Sequence, residues 1–259
     1  MIKNNCSFVE DGATIGEGCE ISPLSYIGAK VKIGKNCKIG PFCFISGKTT
    51  IGDNNVFLSH SAIGGPPQDI GYKGEDTELV IGDNNVFREF VTVNRASTKE
   101  NWVTRIGNGS LFMAYSHIAH DCQVGDNIIF ANNATLAGHI KVGSFSTIGA
   151  LTAIHQFCTV GEHAFIGGGS ILTRDVLPYV KTVGARGEGK IFGINTIGLQ
   201  RRGFPEEVIK ALKSAYRILF NSKMLLSEAL PFAEEKYGNF KEVAYLIRFI
   251  KESKRGIQR

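Results

Sequence analysis

The chain has 259 residues, 43% of them apolar, and a formal net charge of +5. This apolar content is enough for a sizeable core, and the charge is too small to demand a nucleic-acid partner. No basic segment leads into an apolar one near the N-terminus, and no run of about 18 apolar residues lacks a charge, so we expect no export, no membrane span and a cytoplasmic location.

Apolar residues recur every six positions over residues 15–63, 81–93 and 106–172. No amphipathic helix has this period, whereas a parallel β-helix supplies one short strand and one corner per hexad. In the hexapeptide-repeat proteins that these repeats resemble, the prism is triangular and left-handed, with three hexads, about 18 residues, in each turn. The expected fold is therefore mostly β, a left-handed parallel β-helix with the apolar residue of each hexad pointing inward.

Five of the six cysteines occupy one place in the hexad, four residues after the inward residue. They are Cys19, Cys37, Cys43, Cys122 and Cys158. No paired framework accompanies them, so we interpret them as small buried corner residues and not as disulfide partners or reactive thiols.

Two segments interrupt the period, and a third follows it. Residues 64–80 and 94–105 break the register and predict loop insertions, which commonly carry function when they leave a rigid scaffold. After Pro178 the pattern becomes that of amphipathic helices. We therefore expect a β-helix over residues 1–187 with these two insertions, and a helical C-terminal domain over residues 188–259.

The segment "SHIAHDC", residues 116–122, places histidines on the wall of this prism. His120 and Asp121 follow the inward residue of their hexad and lie at a corner. Because positions 18 apart stack about 4.8 Å from each other on successive coils, Asp121 should lie beside His139 and His120 beside Gly138. The same reasoning predicts a solvent-facing strip composed of His117, His120, Asp121, His139, His155 and Gln156.

Two chemistries suit such a strip. A histidine beside an aspartate can act as a general base, with a nearby glycine N–H holding an oxyanion. Three histidines from neighbouring coils and chains can instead bind zinc and leave a position open for hydroxide. The spacing leaves both open. A flat face needs a second wall to make a cleft, and another subunit of a trimer would supply it.

The motifs "HIAHDCQVGD", "NNATLAGH", "HQFCTVG" and "GLQRRGF", in this order, resemble the acyl-carrier-protein-dependent UDP-N-acetylglucosamine acyltransferases that begin lipid A synthesis. The resemblance implies transfer of an (R)-3-hydroxyacyl chain to the 3-position of the sugar. It implies no cofactor and no metal, because the donor is a thioester on the phosphopantetheine of acyl carrier protein. It also implies a homotrimer with the site between subunits.

Residue roles follow from the same resemblance. His120 would be the general base, Asp121 its orienting partner and Gly138 the oxyanion donor. Gly168 would set acyl-chain length and, having no side chain, admit more than ten carbons. The substrate contacts implied are Gln68, Asp69, His117, His139, His155, Gln156, Asn195, Arg201 and Arg202.

Two departures bear on the acceptor. Gly71 stands where many members have a lysine, and Ile197 stands where a glutamate is usual. Some members acylate a 3-amino analogue and form an amide, so this acceptor is an alternative. Further alternatives are a zinc-dependent prism-type carbonic anhydrase and a non-catalytic module that binds the carrier protein. From Lys190 onward basic residues outnumber acidic ones about two to one, which suits an acidic carrier protein.

Overall fold

The computed structural model describes residues 2–3, 6–185 and 189–258, and its short strands form three sheets that are the faces of a triangular prism. Face one consists of Ile2–Lys3, Glu20–Ile21, Lys38–Ile39, Val56–Phe57, Val86–Phe87, Leu111–Phe112, Ile129–Phe130, Thr147–Ile148, Phe165–Ile166, Val180–Val183 and Lys190–Ile194. Face two consists of Phe8–Val9, Tyr26–Ile27, Phe44–Ile45, Ala62–Gly65, Thr92–Asn94, His117–Ile118, Thr135–Leu136, Ala153–Ile154 and Ile171–Leu172. Face three consists of Thr14–Ile15, Val31–Ile33, Lys48–Ile51, Glu78–Ile81, Val103–Ile106, Gln123–Val124, Lys141–Val142 and Thr159–Val160.

The chain visits faces one, two and three in turn, and each strand pairs in parallel with the strand one coil away. His117, for example, pairs with Thr135, which is 18 residues later, and Ile118 pairs with Leu136. Only the last pair of the described strands, Val180–Val183 with Lys190–Ile194, is antiparallel. We name the edges by the turn the chain makes: edge I from face one to two, edge II from two to three, and edge III from three to one.

The hexad residues point into the prism as predicted. Phe57, Phe87 and Phe112 are buried and stack on one another, with ring centroids 4.7 Å apart at both steps. Each such burial contributes about 2 kcal/mol relative to an exposed ring. The core is thus a continuous column of apolar side chains that no single coil could bury alone.

The corner cysteines are buried and free, also as predicted. The Cys122 thiol donates to the Ala137 carbonyl at 3.2 Å, and the Cys43 thiol donates to the Leu58 carbonyl at 3.0 Å. Burial raises the pKa of Cys122 to about 12, so its thiol stays protonated at neutral pH. These residues are structural.

Many prism corners hold a residue in the left-handed region of φ. Asp121 and His139 adopt φ values of 62° and 64°, and the same conformation recurs at corresponding corner positions along all three edges. Non-glycine residues are uncommon there, and the conformation costs about 1 kcal/mol. The fold therefore fixes the direction of the two side chains before they make any contact.

Two excursions leave the prism at edge II, over residues 66–77 and 95–102, between strands that the structure extends slightly into the expected insertions. They contact each other. The Tyr72 hydroxyl accepts from the Arg95 guanidinium at 2.8 Å, and the Asn94 side-chain amide donates to the Pro66 carbonyl at 2.9 Å. The two loops thus form one covering layer over this edge.

The C-terminal region contains four helices: α1, Thr196–Arg201; α2, Glu206–Asn221; α3, Leu226–Tyr237; and α4, Lys241–Glu252. After α4 the chain returns to edge II, where the Asp175 amide donates to Gly256 at 2.9 Å and the Gln258 amide donates to Asp175 at 2.8 Å. The expected boundary between residues 187 and 188 lies outside the described residues. No helix within the described ranges has the length and apolar character needed to cross a bilayer.

Candidate active site

Most of the predicted site residues lie on or next to edge II. His117–Ile118 is a strand of face two, and Gln123–Val124, the next strand along the chain, belongs to face three. Residues 119–122 turn the corner between them. His120 and Asp121 lie on this corner, next to the two excursions that leave the same edge one and two coils earlier.

His120 and Asp121 form a hydrogen-bonded pair, with 2.8 Å between His120 Nδ1 and Asp121 Oδ2. An ionised carboxylate can only accept, so the proton of this bond is on Nδ1 and the lone pair of Nε2 is free. This is the arrangement of a histidine base held by a carboxylate. Asp121 departs from the expected solvent-facing position: it is only 2% exposed, because Ser97 of the second excursion lies over it.

The contacts of Asp121 keep its carboxyl ionised. Burial raises the pKa of the group, but hydrogen bonds from His120 and from the amide and hydroxyl of Ser97, with the nearby His139, outweigh burial and lower it below its usual value. The Asp121 amide donates to Thr104 Oγ1 at 2.8 Å, which holds the backbone as well. Oδ1 of this carboxylate is buried and has no partner among the described residues.

Gly138 lies directly beneath the His120 ring, where the hexad register predicts it. A Cβ at position 138 would lie 2.5 Å from His120 Cε1 and 2.9 Å from Nε2. The neighbouring residues Ala137 and His139 donate their amides to Ile154 and His120 on adjacent coils, whereas no described residue accepts from the Gly138 amide. Its position combines free space for the ring with an available N–H.

His139 is the second residue that departs from the expected solvent-facing strip, since only 6% of it is exposed. Its Nε2 lies 3.8 Å from Asp121 Oδ2, its Nδ1 lies 3.3 Å from Glu100 Oε2, and its ring stacks on Phe157 with centroids 4.4 Å apart. The register correctly predicts the neighbours but not the burial, because the 95–102 excursion covers both residues.

Ligand atoms of His120, Asp121 and His139 lie within 4.8 Å of one another, which is the spacing of a metal-ligand set. Within this group, His120 Nδ1 and Asp121 Oδ2 are hydrogen-bonded to each other at 2.8 Å. The observed arrangement is therefore that of a proton-transfer pair.

His117 lies on face two and is partly buried. Its Nδ1 is 2.7 Å from the Thr92 hydroxyl of the preceding coil. Burial, with a smaller contribution from His120, lowers the pKa of His117, so this imidazole is neutral at physiological pH. A neutral ring beside His120 can donate or accept a hydrogen bond without opposing a positive charge on His120.

The first excursion supplies Gln68 and Asp69. Gln68 is exposed, while Asp69 Oδ2 lies 2.6 Å from the Lys99 ammonium of the second excursion. The Gly71 amide donates to Asp69 Oδ1 at 2.9 Å. The pKa of Asp69 is lowered mainly by the hydrogen bond from Lys99 and then by this amide, with a smaller contribution from His120. Sequence reasoning missed Lys99.

His155 and Gln156 are exposed on edge II, one coil beyond Gly138. The Arg255 guanidinium, from the segment after α4, lies 3.1 Å from His155 Nδ1. Between this segment and the prism is a cleft of about 710 Å³ lined by residues that include His139, Phe157, Lys141, Phe249 and Arg255. The C-terminal segment thus extends the wall that begins at His120.

The remaining predicted residues do not join this cluster within one chain. Asn195 caps α1 by accepting from the Gly198 amide at 3.3 Å, and it donates to the His163 carbonyl at 3.1 Å, which ties it to edge III. Arg201 and Arg202 are exposed nearby, and Arg202 lies over the Phe145 ring, 4.7 Å from its centroid.

Gly168 lies on edge I, exposed, and a Cβ there would be 3.0 Å from the Ala150 carbonyl oxygen. Ile197, the residue in the usual glutamate position, is 62% exposed. The predicted site residues therefore divide among all three edges of the prism, with His120 and its neighbours on edge II.

Sequence reasoning also missed Ser97 and Thr104, which hold Asp121. Thr104 belongs to strand Val103–Ile106, whose first residues the hexad register assigns to an insertion. Ser97 lies in a loop outside the hexad register, so no periodic signal indicated what it would contact. Only the packing of the excursion against edge II makes its position evident.

Comparison with known proteins agrees with this architecture. Residues 175–258 match the model for domain 2 of UDP N-acetylglucosamine O-acyltransferase, and residues 12–47, 30–65 and 104–138 match the bacterial transferase hexapeptide model. The chain is 50% identical over 253 residues to the acyl-[acyl-carrier-protein]–UDP-N-acetylglucosamine O-acyltransferase of Anaeromyxobacter sp. (strain K), covering 98% of both chains. It is 47% identical over 251 residues to the enzyme of that name from Stenotrophomonas maltophilia (strain R551-3), covering 97% of this chain and 95% of the other.

Among solved structures, the UDP-N-acetylglucosamine acyltransferase of Bacteroides fragilis 9343 superposes with a TM-score of 0.95 at 39% identity, covering 100% of both chains. The fold class expected from the hexads, a left-handed parallel β-helix with a C-terminal helical domain, is confirmed. Identity near one half over almost the full length is far more than a shared repeat requires. The chain belongs to the UDP-N-acetylglucosamine O-acyltransferase family.

Proposed function

We propose that this protein transfers an (R)-3-hydroxyacyl chain from acyl carrier protein to the 3-hydroxyl of UDP-N-acetylglucosamine, the reaction that begins lipid A biosynthesis. The observation that carries the proposal is the His120–Asp121 pair, held over Gly138 on a chain of this family. No cofactor is required by this chemistry, since the thioester of the donor is already activated.

The proton route follows from the pair. His120 Nε2 takes the proton of the sugar 3-hydroxyl as that oxygen attacks the thioester carbonyl carbon and the C–O bond forms. The resulting imidazolium is stabilised by Asp121, which accepts from Nδ1–H. The tetrahedral intermediate then breaks its C–S bond, and His120 returns the proton to the leaving thiolate of phosphopantetheine.

Charge on the intermediate needs a donor near the base. The Gly138 amide lies beneath the His120 ring and donates to no described residue, so it suits the oxyanion. The sugar nucleotide would lie against Gln68, Asp69, His117, His139, His155 and Gln156. Asn195, Arg201 and Arg202 would receive its diphosphate, since guanidinium groups bind such oxygens in pairs.

The relatives described above are named O-acyltransferases, which favours the ester over the amide product despite Gly71 and Ile197. Their names likewise disfavour carbonic anhydrase activity and a non-catalytic role. The Lys99 ammonium, close to Asp69, supplies a cation on the side of the site where Gly71 lacks one.

The division of site residues among three edges supports a homotrimer, in which edge II of one prism faces the Arg202 region of the next. We also propose a cytoplasmic location. The six free cysteines support it, because free thiols persist in reducing compartments. We assign residues 1–187 to the prism and residues 188–259 to the domain that meets the acidic carrier protein. Gly168, without a side chain, leaves room for an acyl chain of more than ten carbons.

The test is product analysis by mass spectrometry, with UDP-N-acetylglucosamine and its 3-amino analogue competing for a series of 3-hydroxyacyl carrier proteins. We expect an ester of the unmodified sugar from the wild-type protein and at least a hundredfold slower transfer by His120→Ala. His60→Ala is the matched control, because His60 is an exposed corner histidine on edge I. Near-normal turnover by His120→Ala, or an amide as the main product, would overturn the assignment.

A further inference from the structure

The 95–102 excursion reaches three of the candidate site residues through three of its own. Ser97 hydrogen-bonds Asp121, Lys99 pairs with Asp69, and Glu100 lies 3.3 Å from His139. The contacts differ in burial: the side chains of Lys99 and Glu100 are 58% and 40% exposed, whereas Ser97 is only 2% exposed. Water screens the first two interactions far more than the third, so the Ser97 contact has the largest energetic effect.

Ser97 binds Asp121 through two donors. Its amide lies 3.0 Å and its hydroxyl 2.7 Å from the same oxygen, Oδ2. The Lys99 amide donates to Ser97 Oγ at 3.3 Å, which occupies a lone pair of the hydroxyl and leaves its hydrogen directed at Asp121. The orientation of this hydroxyl is thus set from within the loop.

All the partners of the Asp121 carboxylate meet at one oxygen. Oδ2 accepts from Ser97 twice and from His120 Nδ1, while Oδ1 has no partner in the described parts of the chain. Rotation of the carboxyl group would move Oδ2 away from His120. Nothing bonded to Oδ1 opposes that rotation, so the two donors of Ser97 are what fix the oxygen to which His120 is hydrogen-bonded.

We propose that Ser97 is a positioning residue of the acyl transfer, acting through Asp121 to hold His120 in the tautomer and orientation that accept the substrate proton. The inference rests on the proposed function, since it assigns Ser97 a part in that reaction. The hydrogen bonds of Ser97 go to Asp121, and His120 is reached only through that carboxylate. The effect of Ser97 is therefore on the proton-transfer step and not on substrate affinity.

The hydroxyl also affects the basicity of the pair. The hydrogen bond from the Ser97 hydroxyl reduces the negative charge that Asp121 presents to His120. Without this hydroxyl the carboxylate is more basic and holds the Nδ1 proton more strongly. The imidazolium is then favoured, and a higher pH is needed to free the base. This shift separates a positioning role from a loss of folded protein, which would lower activity equally at every pH.

The experiment compares pH profiles of acyl transfer for the wild-type protein, Ser97→Ala, Ser97→Thr and Ser146→Ala. Ser146 is the matched control: it is fully buried at a corner on edge III, and its hydroxyl donates to the Gly143 and Gly161 carbonyls at 2.8 Å. In Ser97→Ala we expect kcat to fall about tenfold with KM unchanged, and the acid limb of kcat to move upward by about half a pH unit. Ser97→Thr keeps the hydroxyl and should restore both, while Ser146→Ala keeps the wild-type profile.

The proposal is overturned if Ser97→Ala has wild-type kcat and an unmoved acid limb, or if its kcat falls without a change in the limb. Should Ser97→Ala fail to fold, Ser97→Cys, which keeps the size and weakens the donor, must show the same upward shift. An unmoved limb in Ser97→Cys then overturns the proposal. A wild-type protein that transfers no acyl group would refute the proposed function itself, a result that these variants do not affect.

Discussion

Gly138 is a glycine because of its neighbour and not because of its own backbone. Its φ angle is not in the left-handed region, so alanine is permitted by conformation. What forbids a side chain is the His120 ring, which occupies the space where a Cβ would be. The coil spacing of a β-helix leaves about 4.8 Å between stacked residues, so a ring placed against the next coil leaves no room for a side chain there.

Replacing Gly138 with alanine should therefore act through the base. The added methyl group displaces the His120 ring, and the 2.8 Å hydrogen bond between His120 and Asp121 is lost or lengthened. We expect acyl transfer by Gly138→Ala to fall at least a hundredfold, while its thermal unfolding midpoint stays within a few degrees of wild type. Rates and melting curves measured on the same preparation check this.

Gly65→Ala is the control for this prediction. Gly65 lies on face two, and a Cβ there would make only an ordinary 3.6 Å contact with the Asn94 side chain. Its activity should match wild type within a factor of two or so. A Gly138→Ala variant as active as Gly65→Ala would show that the ring has another place to go.

The hexad period predicts such neighbours well because it is a statement about backbone geometry. It places Gly138 under His120 and His139 beside Asp121 from the 18-residue offset alone, and the structure has both contacts. The period predicts no positions for segments that leave the prism. Asp121 and His139 are buried because the 95–102 excursion packs over them, and a loop without a repeat has no register from which that packing can be read.

At the scale of whole elements, the edges are ladders of corner residues. On edge III the His163 ring stacks between Phe145 and Tyr179, at centroid distances of 4.9 and 5.7 Å, and meets the edge of Phe204. His163 is 8% exposed, and its Nδ1 has no partner among the described residues. Burial, with a smaller contribution from Arg202, lowers the pKa of His163 to about 4.

This ladder predicts a loss of stability in mild acid. The unfolded chain binds a proton at His163 below pH 6.5, whereas the folded chain does so only near pH 4. The stability contribution is therefore complete above pH 6.5 and falls as the pH decreases towards 4. From this residue alone we expect the free energy of unfolding to fall by about 2 kcal/mol between pH 7 and 4.5.

Urea unfolding of the wild type and of His163→Phe across this pH range isolates the effect. Phenylalanine continues the stack with Phe145 and Tyr179 but cannot titrate, so the difference in unfolding free energy between the two proteins should shift in favour of the variant as the pH falls. Parallel curves for the two proteins from pH 7 to 4.5 would mean that His163 titrates alike in both states.

At the scale of the whole molecule, the proposed site residues are distributed over the three edges of the prism. His120 and Asp121 lie on edge II, Arg202 lies beside edge III, and Gly168 lies on edge I. A rigid prism cannot bend its edges towards one another, because each coil is hydrogen-bonded to the next along all three faces. In the proposed trimer a sugar nucleotide would contact His120 of one chain and Arg202 of the next, and cyclic threefold symmetry would make every site equivalent.

Mixing two inactive variants tests this arrangement. In a homotrimer of either variant, every proposed site lacks one of the two side chains, His120 or Arg202. Each variant alone should therefore transfer acyl chains poorly. Co-expression in equal amounts creates sites in which an intact His120 faces an intact Arg202, which by random assembly is about a quarter of all sites. We expect about that fraction of wild-type activity in the mixed trimers.

The pair His120→Ala and Gly138→Ala provides the contrast: both residues belong to edge II of a single chain, so no mixed site has both intact and the mixture should stay inactive. Recovery in neither mixture would place the whole site within one subunit and refute the shared cleft.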